Sequence, residues 1–307
     1  MLIVFMGSPA FAVPALQALA QRYSLAGVVT QPDSPSGRGR SLTAPPVKLA
    51  ALELGLPIFQ PGRLRDPESL AQLRAWEPDL IVVAAYGQIL RQPVIDLPSR
   101  GCLNVHASLL PRWRGAAPIQ AAIAAGDTHT GVSIMVMDTG VDTGPTLAQR
   151  ATPIPPDSTG GSLRDRLAAI GAELLVETLP GYLDWSLRPD PQPAEGVTYA
   201  PPLKKDDGRI DPGKPAGRLA LQVRAYEPWP GSFLTWGTLR IVVRAAHVIA
   251  GPDASLGTIG QLGGLPAVRC ADGWLALARV QPAGKRSMDG DEFARGAPDF
   301  IGSQIPS

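Results

Sequence analysis

Histidine and cysteine are scarce, with three and two respectively in 307 residues. Cys102 and Cys270 stand far apart, and no Cys/His pair has the spacing of a zinc site. Neither a disulfide framework nor a bound metal is therefore expected. A charge excess is also lacking: the formal net charge is +1, which removes any bulk electrostatic case for a nucleic-acid partner. No apolar run approaches the ~18 residues of a membrane span. The opening Met-Leu-Ile-Val-Phe-Met stops at Gly7 and has no basic residues before it, unlike a secretory signal. The GxGxxG fingerprint is missing, which disfavours a nicotinamide dinucleotide. These absences point to a soluble, cytoplasmic chain with no membrane partner.

What is present suits a folded protein of two domains. Hydrophobic residues make up 45% of the chain, enough for sizeable cores. Gly and Pro number 33 each without a G-X-Y period, so ordered turns and an extended linker are expected. Residues 2–6 (LIVFM) and 80–85 (LIVVAA) are short, continuous apolar runs, the pattern of strands buried on both faces. Residues 25–30, 56–59, 102–106 and 132–137 read as further strands. Helical periodicity covers 10–22, 45–54, 67–76, 117–125 and 162–186. The alternation predicts an α/β fold, a Rossmann-like parallel sheet with helices on both faces. In such sheets ligands collect beyond the carboxyl ends of the strands. The polar groups of interest follow strand ends: Gly7-Ser8, Tyr86-Gly87, Asn104/His106 and the stretch Asp138 to Asp142.

Five prolines fall between Arg188 and Gly208, without apolar period. This marks a semi-extended linker at 189–207, between a first domain at 1–188 and a second at 208–307. The second holds shorter apolar runs with Gly/Pro punctuation and reads as a small β-barrel, OB-like. Its last residues, DFIGSQIPS, are expected to fray. Charge divides mildly between the halves. Residues 1–203 carry 15 basic against 17 acidic side chains, and residues 204–307 carry 13 against 10.

Asn104 and His106 are two apart, so on a strand both side chains share a face. An amide donor beside an imidazole suits acyl transfer: the amide polarises a carbonyl and the imidazole handles a proton. Asp138 and Asp142, after the next strand, could supply the orienting carboxylate. The alternative is a satisfied histidine at a strand end and two turn aspartates. Spacing alone does not separate the two. Arg112 and Arg114 around Trp113 are either a solvated cation–π cluster or a wall facing an anion. The loop SPSGRGRSL, with Arg38 and Arg40, is either a surface loop or an arm that closes on phosphates.

Taken together, GSPAFAVPAL, TQPDSPSGRGR, VVAAYGQIL, NVHASLLPRWRGAAPIQ, MDTGVDTG, TYAPPLKKDDGRID, VRAYEPWPGSF and VQPAGKRSM resemble the methionyl-tRNA formyltransferases, in order and over nearly the whole chain. The Asn-x-His…Asp set is shared with a wider group that uses 10-formyltetrahydrofolate, and the GRGR loop and C-terminal pieces narrow it. The resemblance implies formyl transfer from 10-formyltetrahydrofolate to the α-amino group of methionyl initiator tRNA, by a monomer without a metal. It implies a catalytic set of Asn104, His106 and Asp142. For the folate it implies Ser108, Leu109, Leu110 and Pro111, with backbone around Tyr86, Gly87 and Leu90. For the tRNA it implies Arg38 and Arg40. Lys204, Lys205, Lys285 and Arg286 are the candidates for phosphate contacts from the second domain.

Ala107 stands where many members have Gly, and Pro212 where many have Trp. Two other functions keep parts of the pattern. Formyl transfer to an amino-sugar nucleotide needs the three catalytic residues but not the arm, and a non-catalytic RNA- or folate-binding protein needs neither in full.

Overall fold

The computed structural model describes residues 1–36 and 41–306. Arg38 and Arg40 lie outside the described residues. The chain divides into two compact units. The first comprises Met1–Pro118, His129–Pro153 and Arg164–Ala200, and the second Ile119–Thr128, Ile154–Leu163 and Pro201–Ser307. Of the segment 189–207 read above as linker, residues 189–200 group with the first unit.

In chain order the elements up to residue 200 are β1 (Leu2–Gly7), α1 (Val13–Ala20), β2 (Ser24–Val29), β3 (Ser34–Ser36), β4 (Ser41–Thr43), α2 (Pro46–Glu53), β5 (Ile58–Phe59), α3 (Pro67–Ala75), β6 (Leu80–Ala84), α4 (Gln92–Ile95), β7 (Cys102–His106), β8 (Arg114–Gly115), α5 (Pro118–Ala125), β9 (His129–Val136), β10 (Thr146–Pro153), α6 (Gly160–Leu183) and β11 (Tyr199–Ala200). Seven strands form one sheet in the order β10-β9-β7-β6-β1-β2-β5. The pairs β5/β2, β2/β1, β1/β6 and β6/β7 are parallel. Both faces of β1 and β6 are buried, which is why they read as continuous apolar runs. Val4, Met6, Ile81 and Val83 share one core with Leu73, Tyr86, Leu90 and Val94.

The sheet departs from the all-parallel expectation at one strand. β9 runs antiparallel to β7 and to β10. Side-chain alternation is the same whichever way a strand runs, so apolar pattern reports a strand and not its direction. The edge strand β10 was not legible at all. Of its eight residues only Leu147 and Thr152 are buried, so it carries no apolar run.

The direction of β9 decides where Asp142 goes. Its carboxyl end lies beside the start of β7, where the Met137 N–H donates to the Cys102 carbonyl at 2.8 Å. The loop to β10 therefore begins two residues before Asn104 and folds back to the side chains of Asn104 and His106. The strand-end expectation thus places Gly7-Ser8 and Tyr86-Gly87 at the carboxyl edge, whereas Asp142 arrives from an antiparallel loop. The other face of β7, carrying Val105, packs on α6. A Cβ at Gly171 would come 2.8 Å from a Val105 methyl, so the helix approaches this closely only with glycine there.

The second unit contains α7 (Ala216–Ala225), β12 (Ser232–Trp236), β13 (Leu239–Ile249), β14 (Ile259–Leu262), β15 (Leu265–Arg269), β16 (Trp274–Pro282), β17 (Met288–Asp289) and α8 (Gly290–Gly296). Its sheet is antiparallel, in the order β12-β13-β16-β15-β14, with β17 beside β16. Register shifts between Val243 and Ala246 bend the long β13. Ile241, Val243, Leu275 and Leu277 meet Leu219 and Val223 of α7 in its core. Neither α7 nor α8 was expected from the sequence, because most positions of α7 are Ala, Gly, Arg or Gln and its apolar stripe is short. The tail is held as far as Ile305 and is not frayed there. The Ile305 N–H donates to the Gly257 carbonyl at 2.9 Å, and the Ile305 side chain is buried.

Candidate active site

Asn104 and His106 project from the same face of β7, as their spacing of two dictates. His106 is buried among the polar groups of two loops. Its Nε2 lies 2.9 Å from the Trp113 carbonyl oxygen. A carbonyl can only accept, so Nε2 carries a hydrogen and the lone pair of the neutral ring sits on Nδ1. Nδ1 faces Oδ2 of Asp142 at 3.6 Å. That distance is too long for a hydrogen bond, yet a positive imidazole would form an ion pair there.

Asp142 is held at both carboxylate oxygens and at its carbonyl. Its Oδ1 accepts from Asn104 Nδ2 at 3.1 Å, and its Oδ2 accepts from the Gly115 N–H at 2.8 Å. Its carbonyl oxygen accepts from Gln192 Nε2 at 2.8 Å. The backbone there is left-handed (φ 51°), a conformation Asp tolerates better than most residues. Gly115 has φ 112°, and a Cβ on it would stand 2.7 Å from the Ala200 carbonyl oxygen, so glycine is required for this N–H to reach the carboxylate. Asp138 does something else. Its Oδ1 accepts from the Gly140 N–H and the Thr143 hydroxyl, a local turn in the same loop. Geometry thus separates two aspartates that spacing could not.

The arrangement can stabilise charge and move a proton. An amide has two N–H donors, so Asn104 keeps a second one for a substrate oxygen after binding Asp142. The imidazole offers an acceptor at Nδ1, on the side that faces the Asp142 carboxylate. Among the described residues, no group of three His, Cys, Asp or Glu side chains could hold a metal ion.

Of the residues expected at the folate, Ser108 and Leu110 are buried while Leu109 and Pro111 are half-buried. The Ser108 hydroxyl donates to the Arg112 carbonyl at 2.5 Å, so it closes the turn. Ser133 and Gln149 brace the same segment. Ser133 Oγ donates to the Ser108 carbonyl at 2.6 Å and accepts from the Leu110 N–H at 3.1 Å. Gln149 Nε2 donates to the Leu110 carbonyl at 2.7 Å. Tyr86 and Leu90 point their side chains into the core, leaving backbone and the exposed Gly87 and Ile89 at the surface. The Tyr86 carbonyl ties the strand ends together, accepting from Ser8 Oγ at 3.0 Å and Gln31 Nε2 at 3.2 Å.

Lys204, Lys205, Lys285 and Arg286 are all exposed on the second unit, and Arg286 pairs with Glu292. Of the arginines around Trp113, Arg112 stacks its guanidinium over the indole at 4.5 Å. Arg114 is buried and donates two hydrogen bonds to Gln192 Oε1, at 3.1 and 2.8 Å. Gln192 and Thr198, in the proline-rich stretch, were not anticipated. A lone polar residue between prolines carries no signal that it reaches a site 50 residues away.

Residues 1–179 match the formyl transferase family, and residues 202–298 match the formyl transferase C-terminal domain. The methionyl-tRNA formyltransferase of Myxococcus xanthus is 51% identical over 304 residues, covering 98% of this chain and 97% of that one. Among solved structures, the N-formyltransferase from Helicobacter canadensis in complex with folinic acid and dTDP-3-aminofucose superposes with a TM-score of 0.65 at 15% identity, over 90% of this chain and 98% of that one. HypX from Aquifex aeolicus in complex with tetrahydrofolic acid superposes with a TM-score of 0.63 at 16% identity over 97% of this chain, which spans about half of that protein's length (47%). At such identities the structures establish a shared fold, whereas the full-length match at 51% identity establishes more: the chain belongs to the methionyl-tRNA formyltransferase family.

Proposed function

We propose that the chain transfers the formyl group of 10-formyltetrahydrofolate to the α-amino group of methionyl initiator tRNA. One observation carries the mechanism: Asn104, His106 and Asp142 converge, with Asn104 hydrogen-bonded to Asp142 and the His106 Nδ1 facing the same carboxylate. The free N–H of Asn104 donates to the formyl oxygen as it gains negative charge under attack by the amine. His106 Nδ1 lies on the path of the proton released by the amine, and its protonated form adds positive charge beside the same oxygen. Asp142 keeps the ring oriented and, through water, relays the proton toward N10 of the departing folate. The new C–N bond forms on the methionyl nitrogen as the bond to N10 breaks. No side chain becomes covalently modified.

The folate is proposed to lie along Leu109–Pro111 and the backbone of residues 86–90. The exposed surface at Gly87 and Ile89 suits a flat ring system met by main-chain polar groups. The tRNA is proposed to engage Arg38 and Arg40 of the first domain and Lys204, Lys205, Lys285 and Arg286 of the second. The division into a catalytic domain (1–188), a connecting segment (189–207) and a tRNA-binding domain (208–307) belongs to the same proposal. So do action as a monomer, since all three catalytic groups come from one chain, and residence in the cytoplasm, where charged tRNA is found. Among the described residues no helix is long and apolar enough to cross a membrane.

The test is formylation of charged initiator tRNA by 10-formyltetrahydrofolate, with an amino-sugar nucleotide as competing acceptor. Formyl-methionine on the tRNA supports the proposal. Activity confined to the sugar would replace it with the second reading, and activity on neither would leave a binding protein.

A further inference from the structure

Two residues beside the imidazole of His106 share an unusual backbone. Trp113, whose carbonyl accepts from Nε2, has φ 60°, and Asp142, whose carboxylate faces Nδ1, has φ 51°. A left-handed conformation is costly for a non-glycine residue and persists only where the surroundings enforce it. Both loops take hydrogen bonds from one segment. The segment Asp190–Ala200 passes over the two loops in turn. Asp190 exchanges both backbone hydrogen bonds with Thr146, at 2.8 Å each. Gln192 Nε2 donates to the carbonyls of Asp142 and Gly144, at 2.8 and 2.7 Å. Thr198 Oγ1 accepts from the Trp113 N–H at 2.8 Å. Tyr199-Ala200 then pairs with Arg114-Gly115, next to the N–H that holds Asp142 Oδ2.

We infer that the segment Asp190–Ala200 is a clamp that sets the imidazole of the catalytic set, with Gln192 and Thr198 as positioning residues and Arg114 as the group that fixes Gln192. The roles follow from hydrogen-bonding capacity. Gln192 spends both amide hydrogens on carbonyls of the Asp142 loop, so its oxygen must accept from elsewhere, and Arg114 supplies two donors in a fixed fork. The buried Arg114 thus acts through Gln192 and not on substrate. Thr198 holds Trp113 at its nitrogen, while the oxygen of the same residue receives the imidazole proton. Losing either hold lets one loop leave the left-handed conformation. The ring then loses its fixed relation to the carboxylate, and catalysis is sensitive to displacements of this size.

The inference rests on the proposed roles of His106 and Asp142. It is tested by steady-state kinetics of Gln192→Ala, Thr198→Val, Thr198→Ser and His106→Ala in the full chain, with both substrates varied and thermal melts run alongside. Gln192→Ala and Thr198→Val are expected to lower kcat by roughly 10- to 100-fold, with KM for folate and for tRNA changed less than about twofold. Thr198→Ser, which keeps the accepting oxygen, is expected to retain most of kcat. A clamp that is merely structural would lower the melting temperature and leave kcat alone, or would give Thr198→Ser the same loss as Thr198→Val, and either result overturns the inference. Loss of activity in His106→Ala with normal kcat in the clamp variants sinks the clamp alone. Near-normal kcat in His106→Ala sinks the catalytic assignment beneath it.

Discussion

His106 and Asp142 face each other across 3.6 Å, with Nδ1 toward the carboxylate and Nε2 already spent on the Trp113 carbonyl. The ring is thus held at Nε2, and Nδ1 is the nitrogen turned toward the carboxylate. The remaining N–H of Asn104 lies beside it, anchored to the same carboxylate.

Asp142→Asn tests that anchoring. Both carboxylate oxygens accept, one from Asn104 and one from Gly115, so an amide must turn its NH2 toward one of those donors. The cost of an unsatisfied buried group is about 1–3 kcal/mol. The expected result is a lower melting temperature together with a kcat reduced ~10²-fold, comparable to loss of a charge-stabilising donor. A variant with wild-type kcat would show that the carboxylate is dispensable.

How much of this was legible beforehand differs from residue to residue. Asn104 and His106 announced themselves because a spacing of two is a statement about faces. The strands around them were visible because both faces of the sheet are buried. Asp142 could not be told from Asp138 by spacing, and only the family resemblance chose between them. The physical reason for the choice, the antiparallel course of β9, leaves no trace in an apolar pattern. Gln192 and Thr198 act through long-range hydrogen bonds to backbone, which no local period encodes. Ser108 was expected at the folate from the resemblance alone, and its hydroxyl donates within its own turn, a contact that no local pattern encodes.

Tyr86 supplies a stability prediction. Among the described residues its buried hydroxyl has no hydrogen-bond partner, and burial pushes its ionisation well above the ordinary tyrosine range. Removing an unsatisfied hydroxyl while keeping the ring in the core should be neutral or favourable. Tyr86→Phe is expected to raise stability by up to ~1 kcal/mol in urea unfolding, with folate KM unchanged. Destabilisation, or a weakened folate KM, would mean that the hydroxyl has a partner in the working enzyme.

The two cysteines should be inert. Burial holds the Cys102 thiol up at about 12 and the Cys270 thiol up at about 11. The thiolate is the reactive form, and at neutral pH it is nearly absent at both positions. Iodoacetamide at pH 7.5 is expected to modify neither in the native protein and both after denaturation, read by intact mass. Rapid labelling of the native chain would contradict their placement in the two cores.

The tRNA assignments separate into two measurable kinds. Arg38→Leu is expected to raise KM for tRNA while leaving KM for folate unchanged. Neutralising Lys204, Lys205, Lys285 and Arg286 together should weaken tRNA binding and flatten its dependence on salt, since each phosphate contact releases counterions. An unaltered salt slope in the fourfold variant would remove these residues from the interface. Equal damage to both substrates by Arg38→Leu would mark the arm as structural.

The most direct test of the catalytic roles of Asn104 and His106 is single-turnover formylation of methionyl initiator tRNA with 10-formyltetrahydrofolate, comparing the wild-type chain with His106→Ala and Asn104→Ala. The wild type is predicted to form N-formylmethionyl-tRNA. Each variant is predicted to bind both substrates normally yet react ~10²-fold or more slowly. Product formation by either variant at the wild-type rate would remove that residue from the catalytic set, and none by the wild type would rule out the formyl transfer.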